Sequence, residues 1–265
     1  LGEALTLAAA PGRLSGLVVV HNEEAQLKAC LETLRFADEI IVVLDRCTDR
    51  SREIALAAGA RILEGAWERE GDRRNQGIAA CTGEWILEVD ADERVQPGLA
   101  DELRRRLPGA PPGYFLVRFE NHVGGRLIRH GWGAYNGIAR KPCVFSPGSK
   151  IWGRERVHPR LQLSGTRGEL EGAITHYVDR DIADMVERLN RYTTAAALDA
   201  VEFGPGMRRR DAVRRIFSRF WKSYVARKGY KEGAYGLALG LFSALYPILT
   251  WIKTETLRDA PPPRR

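Results

Sequence analysis

The sequence predicts an α/β fold, a Rossmann-like and mostly parallel sheet followed by a helical, basic and apolar C-terminal extension. Three observations point to it. Short apolar β-branched runs alternate with helix-length amphipathic segments in the first half of the chain, polar residues gather where those runs end, and composition changes abruptly after Pro205. The 265 residues are enough for one substantial domain with an appendage. With 44% hydrophobic and 28% charged residues the chain reads as globular rather than disordered.

The elements follow in order. Leu17–Val20 is an apolar run suited to a strand buried on both faces. Ala25, Leu27, Leu31 and Leu34 then recur at helical spacing within Glu23–Arg35. Ile40–Leu44 is a second buried strand, Asp49–Ala58 a helix with Gly59 as its stop, and Arg61–Leu63 a short third strand. Arg73–Cys81 reads as a helix and Trp85–Val89 as a fourth strand running into Asp90. Pro108–Gly113 is a tight loop, 114–180 is strand-rich and irregular, and from Ile182 the pattern turns helical until Phe203-Gly204-Pro205-Gly206 breaks it. Right-handed crossovers in such a sheet bring the carboxyl ends of the strands to one edge, where ligands bind. His21, Asn22, Glu23 and Glu24 follow the first strand, Asp45 and Asp49 the second, and Asp90, Asp92 and Glu93 the fourth.

Asp90-Ala91-Asp92 carries the strongest chemical signal. Side chains two apart on an extended chain point the same way, so both carboxylates can face one cation, which relieves their repulsion. The bland reading is a solvated acidic turn. Asp45 can accept from a base or ribose, and Asp49 can do so or cap a helix. Arg73, Arg74 and Asn75 can hold a diphosphate or form a solvated basic turn.

Four blocks then occur in order over the donor half: Leu17-Val18-Val19-Val20-His21-Asn22-Glu23-Glu24; Glu39 to Asp45 with Thr48-Asp49; Arg74-Asn75 with Gly77; and Thr82 to Leu87 leading into Asp90-Ala91-Asp92-Glu93. Together they resemble the motifs of family-2 glycosyltransferases of the GT-A fold. The downstream half is similar to a narrower branch, the lipopolysaccharide core β-1,4-glucosyltransferase type, through Trp152-Gly153, Val157-His158, His176-Tyr177 with Arg180-Asp181, Arg188 to Tyr192, and Phe220 to Tyr224. The resemblance implies a GT-A domain over 1–180, with a donor half of about 1–110 and an acceptor half of about 111–180, and a helical extension over 181–265. It implies inverting transfer of a hexose from a nucleotide diphosphate sugar, UDP favoured, to a hydroxyl of a lipopolysaccharide core or related glycolipid, with Mg²⁺ or Mn²⁺. The implied metal ligands are Asp90, Asp92 and His176, and the implied donor contacts are His21, Asn22, Glu23, Asp45, Arg74 and Asp90.

Two departures stand out. Leu44 occupies the place of the family's usual Asp, leaving base recognition to Asp45 or backbone groups. Pro159 replaces the Glu that usually follows the His equivalent to His158, so Glu155 is the first candidate for the catalytic base and His158 the second.

The net charge of +7 favours an anionic partner: phosphorylated substrate, anionic lipid or nucleic acid. Ten of the basic residues lie between Pro205 and Lys231, opposed only by Asp211, and precede twenty uncharged residues, Gly233–Ile252. This pairing suits the cytoplasmic face of an anionic inner membrane. Gly233, Gly236, Gly240 and Pro247 favour an interfacial or homodimer-packing helix over a span, and a buried helix covering the sheet is the plainer alternative. A basic nucleic-acid-binding protein is the competing class, but none of the common nucleic-acid-binding motifs is present. Nucleotidyl transfer and polyprenyl-phosphate sugar synthesis remain as enzyme alternatives. Cys30, Cys47, Cys81 and Cys143 form no C-x-x-C pair and read as reduced thiols, and Leu1–Leu14 does not resemble a signal peptide. These features favour a cytoplasmic location.

Overall fold

The computed structural model describes residues 10–131, 140–156, 159–204 and 206–259. The chain forms two compact units. The first is drawn from Leu1–Phe119, Arg140–Glu155 and Pro159–His176, the second from Glu120–Ala139, Arg156–His158 and Tyr177–Arg265.

The first unit is built on the alternating run. Strands β1 (Ala10–Val20), β2 (Glu39–Asp45), β3 (Arg61–Gly65) and β4 (Gly83–Asp90) alternate with helices α1 (Glu24–Glu32), α2 (Ser51–Ala57) and α3 (Glu70–Ala80). β1 pairs in parallel with both β2 and β4, and β2 with β3. Leu17, Val18, Ile41, Val42, Val43, Ile86 and Leu87 are fully buried, as expected for strands covered on both faces. On α1, Leu27, Cys30 and Leu31 turn inward at helical spacing. Gly59 follows α2 with φ 74°, the left-handed conformation that ends a helix at little cost to glycine.

After β4 come β5 (Glu93–Val95), α4 (Pro97–Arg106), β6 (Gly113–Val123), β7 (Arg126–Leu127), β8 (Arg140–Phe145), β9 (Lys150–Trp152), β10 (Leu161–Leu163) and β11 (Thr166–Asp179). The main sheet runs β3-β2-β1-β4-β8-β6-β11-β5, with β7 on β6, while β9 and β10 form a separate ribbon. β8 is antiparallel to β4 and to β6, and β5 to β11, so the sheet is mixed beyond its parallel core. Residues of β6 alternate strictly between buried and half-buried, the period-two pattern of a strand with one covered face. Pro97 opens α4, where its missing N–H is harmless, and Arg104–Arg106 close it, where cations suit the helix dipole.

The second unit is largely helical: α5 (Ile182–Phe203), α6 (Arg209–Phe220) and α7 (Gly233–Asp259). Asp181 caps α5 by accepting from the Asp184 N–H at 2.9 Å. A π-helical segment, Trp221–Ala226, extends α6. Gly229–Asp259 is long and apolar enough to cross a membrane by length and composition, although Pro247 interrupts the hydrogen-bond ladder of α7.

Candidate active site

The carboxyl edge of the parallel strands gathers the polar residues as the alternating pattern requires. After β1, His21 Nδ1 lies 2.6 Å from the Asp45 carbonyl oxygen. Asn22, at φ 57°, accepts from the Thr48 N–H at 2.7 Å and the Asp49 N–H at 3.3 Å, and the Glu23 N–H donates to Ser51 Oγ at 3.0 Å. These contacts tie the loops after β1 and β2 together. Asp49 serves that joint too, accepting from the Glu24 N–H at 2.9 Å and the Ser51 N–H at 3.0 Å.

Asp45, at the end of β2, is buried. Its carboxylate accepts from Arg46 at 2.9 and 3.0 Å, from the Trp67 N–H at 3.1 Å and from Arg73 at 2.9 Å. Four donors fill the four lone-pair directions of a carboxylate. Burial opposes its ionisation, but these donors outweigh burial and hold its pKa below the usual range. Asp45 therefore orients Arg73 and Arg46 at the edge, leaving it no lone pair for a ligand in this arrangement.

Arg74, placed by α3, is similarly committed. Its guanidinium donates to Glu70 at 2.9 Å, Glu88 at 2.8 Å and Asp90 at 2.7 Å, and lies 4.9 Å above the Trp152 ring. Buried Glu88 also accepts from Lys150 at 2.7 Å and from Trp152 Nε1 at 3.2 Å. Asn75 completes the link to β9, exchanging two 2.9 Å hydrogen bonds with the Trp152 backbone. Gly71 is required beside this joint, because a Cβ there would collide with the Gly153 carbonyl oxygen.

β4 ends at Asp90, and the chain turns through Ala91 and Asp92 into β5. The turn interrupts the extended period on which the same-side expectation for Asp90 and Asp92 rests. Asp90 faces Arg74; burial opposes its charge, but Arg74 and Lys141 outweigh burial and bring its pKa to about 2. Asp92 faces His176, with Oδ2 3.4 Å from Nε2. The antiparallel register of β5 on β11 sets His176 opposite Glu93. Asp92, Glu93 and His176 each offer a ligand atom, all within 4.8 Å of one another. Glu93 is buried, accepts from the Asp90 N–H at 2.9 Å and Lys141 at 3.0 Å, and has its pKa raised, chiefly by burial. Burial disfavours the charged form of His176, but Asp92 and Glu93 reverse that and raise its pKa.

Two carboxylates and an imidazole suit a divalent cation such as Mg²⁺ or Mn²⁺. Asp92 Oδ1 is buried and has no hydrogen-bond partner among the described residues. An unsatisfied carboxylate oxygen beside the ligand atoms of Glu93 and His176 is costly alone and is relieved by a cation, so the residues fit the ion.

Residues 15–145 match the family described as Glycosyl transferase family 2. An uncharacterized glycosyltransferase of Rickettsia bellii is 30% identical over 267 residues, covering 93% of this chain and 86% of that protein. The chain belongs to the family 2 glycosyltransferases. The lipopolysaccharide core biosynthesis glycosyltransferase LpsC of Rhizobium meliloti is 24% identical over 264 residues, 91% of each chain. A TPR repeat-containing protein of Synechococcus elongatus is 37% identical over 123 residues; the match takes in 46% of this chain and only 30% of that protein.

For this glycosyltransferase, the structure brings together Asp92 and His176 of the expected metal ligands and joins Glu93 to them, while Asp90 pairs with Arg74. Glu93 is missed by a reading that looks only for carboxylates two apart, although its place at the strand end signals it. Glu155 follows β9; its Oε2 accepts from the Arg160 N–H at 3.1 Å, and this N–H together with its own holds its pKa below the usual range. His158, the second candidate for the base, lies outside the described residues.

Proposed function

We propose that this glycosyltransferase moves a hexose from a nucleotide diphosphate sugar, UDP favoured, to a hydroxyl of a lipopolysaccharide core or related glycolipid, inverting the anomeric centre by single displacement. The observation that carries the reading is the Asp92, Glu93 and His176 cluster at the carboxyl edge, with its unpartnered buried carboxylate oxygen. Similarity to LpsC over nearly the whole chain supports the acceptor class. We place the donor half in about 1–110, the acceptor half in about 111–180 and the extension in 181–265.

In this reading Asp92, Glu93 and His176 hold Mg²⁺ or Mn²⁺, with Asp90 towards the ribose or the same ion. Bound there, the ion supplies positive charge to the leaving diphosphate. Arg73, held by Asp45, lends a further positive charge at that edge. His21, Asn22 and Glu23 line the donor side, and Arg74 fixes Asp90 in place. Glu155, ionised at neutral pH, takes the proton of the attacking hydroxyl, with His158 as the alternative base. The enzyme works peripherally at the cytoplasmic face of the inner membrane, where its α7 surface meets lipid or a second copy.

Incubating purified protein with a panel of nucleotide sugars and lipopolysaccharide core acceptors, with Mn²⁺ and after chelation, tests the proposal. Chelator-sensitive release of a nucleoside diphosphate with sugar on the acceptor is expected. Pyrophosphate release would indicate nucleotidyl transfer and remove this reading, and sugar transfer to polyprenyl phosphate alone would replace the acceptor.

A further inference from the structure

The outward face of α6 is composed unlike an ordinary solvated surface. Arg210, the adjacent pair Val213 and Arg214, Phe217 and Trp221 recur three or four residues apart, which places them along one side of α6 and the start of its π-helical continuation. Phe217 is 73% exposed and Trp221 64% exposed. The opposite side is the packed one: Ala212 is buried, and Phe220 turns towards Gly240 of α7 and stacks on Tyr224 at 5.3 Å between ring centroids. The core of this unit thus uses Phe220 and leaves Phe217 and Trp221 facing outward. Large aromatic side chains left in water side by side mark a surface meant to be covered. Arg209, Arg215 and Lys222, also exposed, flank the stripe.

We propose that this α6 face lies in the plane of an anionic bilayer surface, with Phe217 and Trp221 entering the acyl boundary and Arg210 and Arg214 binding lipid phosphates. The inference deepens the peripheral membrane placement proposed above and rests on it. Charge selects the occupant. A second copy of the same arginine-rich face would be repelled, whereas an anionic lipid surface neutralises it. Trp and Phe beside Arg is the side-chain set of a membrane interface, with rings at the headgroup boundary and guanidinium groups among the phosphates. Nucleic acid would also meet the arginines. It would have no use for the exposed aliphatic row that Leu237, Leu241, Leu245 and Ile252 form on α7, the helix packed against α6.

The test is co-sedimentation of the full chain with vesicles of phosphatidylcholine alone and of phosphatidylcholine mixed with phosphatidylglycerol. Wild type is expected on the anionic vesicles, less so as salt rises. Phe217→Ser with Trp221→Ser, and separately Arg210→Glu with Arg214→Glu, should each weaken binding by about tenfold or more. Leu56→Ser, which removes a half-exposed apolar side chain on α2, should not change it. All of these positions are exposed, and thermal melting checks that the variants fold. Wild type bound to neither vesicle would overturn the membrane placement together with this proposal. Wild type bound, with both α6 variants bound as tightly, would overturn the α6 proposal alone, as would equal loss in Leu56→Ser. A single-stranded oligonucleotide retained in place of vesicles, and released by Arg210→Glu with Arg214→Glu, would replace lipid by nucleic acid.

Discussion

Arg74 donates to Asp90 across 2.7 Å while another nitrogen of the same guanidinium reaches Glu88 at 2.8 Å. One side chain thus links the last residue of β4 to a carboxylate buried beneath it. Glu88 keeps Lys150 if Arg74 is lost, but a buried carboxylate deprived of one of two cations is strongly penalised. Arg74→Ala is therefore expected to lower unfolding stability by about 3 kcal/mol. Urea denaturation measures it. A change within error would mean that the buried network is not a stabilising feature of the sheet edge.

The second prediction concerns the cluster around Asp92. Asp92→Asn leaves shape almost unchanged but removes the charge that faces His176. If the proposed ion sits there, Mn²⁺ affinity in titration calorimetry should fall by about tenfold or more, and transfer by about two orders of magnitude, the scale of several kcal/mol of charge stabilisation. Glu93→Gln should weaken Mn²⁺ in the same direction. Asp90→Asn should have the smaller effect on affinity, because Asp90 is engaged by Arg74. The reverse order would restore Asp90 to the ion.

How much of this was legible in the sequence depends on which physical signal each residue carries. β1, β2 and β4 announce themselves because strands covered on both faces must be continuously apolar, and Val18, Val42 and Leu87 meet that demand. The strand ends follow from the alternation, so His21, Asp45 and Asp90 fall at one edge. What each side chain does there was not legible. Asp45 spends its lone pairs on its neighbour Arg46 and on Trp67 and Arg73, which lie 22 and 28 residues away, where no local pattern announces them. Asp90 and Asp92 are parted by a turn that the period-two argument does not contain. His176 meets Asp92 only through the register of β5 on β11, a pairing of residues far apart in sequence, and the family resemblance rather than spacing singled it out.

Acid stability should report on Glu102. This buried side chain accepts from the Gly172 N–H at 2.9 Å, the Glu171 N–H at 3.0 Å and Arg106 at 3.1 Å. Burial opposes its charge, but these donors outweigh burial and lower its pKa below the ordinary 4.5. A carboxylate with a depressed folded-state pKa stabilises the fold fully above its unfolded value and loses that contribution as pH falls through the folded value. Glu102→Gln should therefore cost about 2 kcal/mol at neutral pH, the scale of hydrogen bonds to a charged group. The gap from wild type should narrow as pH falls below the ordinary 4.5. Thermal melts across that range measure the gap; a gap independent of pH would mean that the charge of Glu102 is not what stabilises the α4 to β11 contact.

Glu155 puts the proposed base under the sharpest demand, because its own N–H and that of Arg160 lower its pKa. A depressed pKa keeps the carboxylate ionised and ready to accept a proton, yet makes it a weaker base, so its advantage must come from position rather than basicity. Glu155→Gln keeps the side chain's size and removes only proton acceptance. It should reduce kcat by about 100-fold or more with the KM for the donor unchanged. Arg160 offers a separating control. Its side-chain nitrogen sits 3.4 Å from Glu155, so Arg160→Ala should raise the Glu155 pKa and move the acidic limb of the rate profile upward without abolishing transfer. Full transfer by Glu155→Gln, with donor binding intact, would move the base to another side chain, and His158 would be the next to replace.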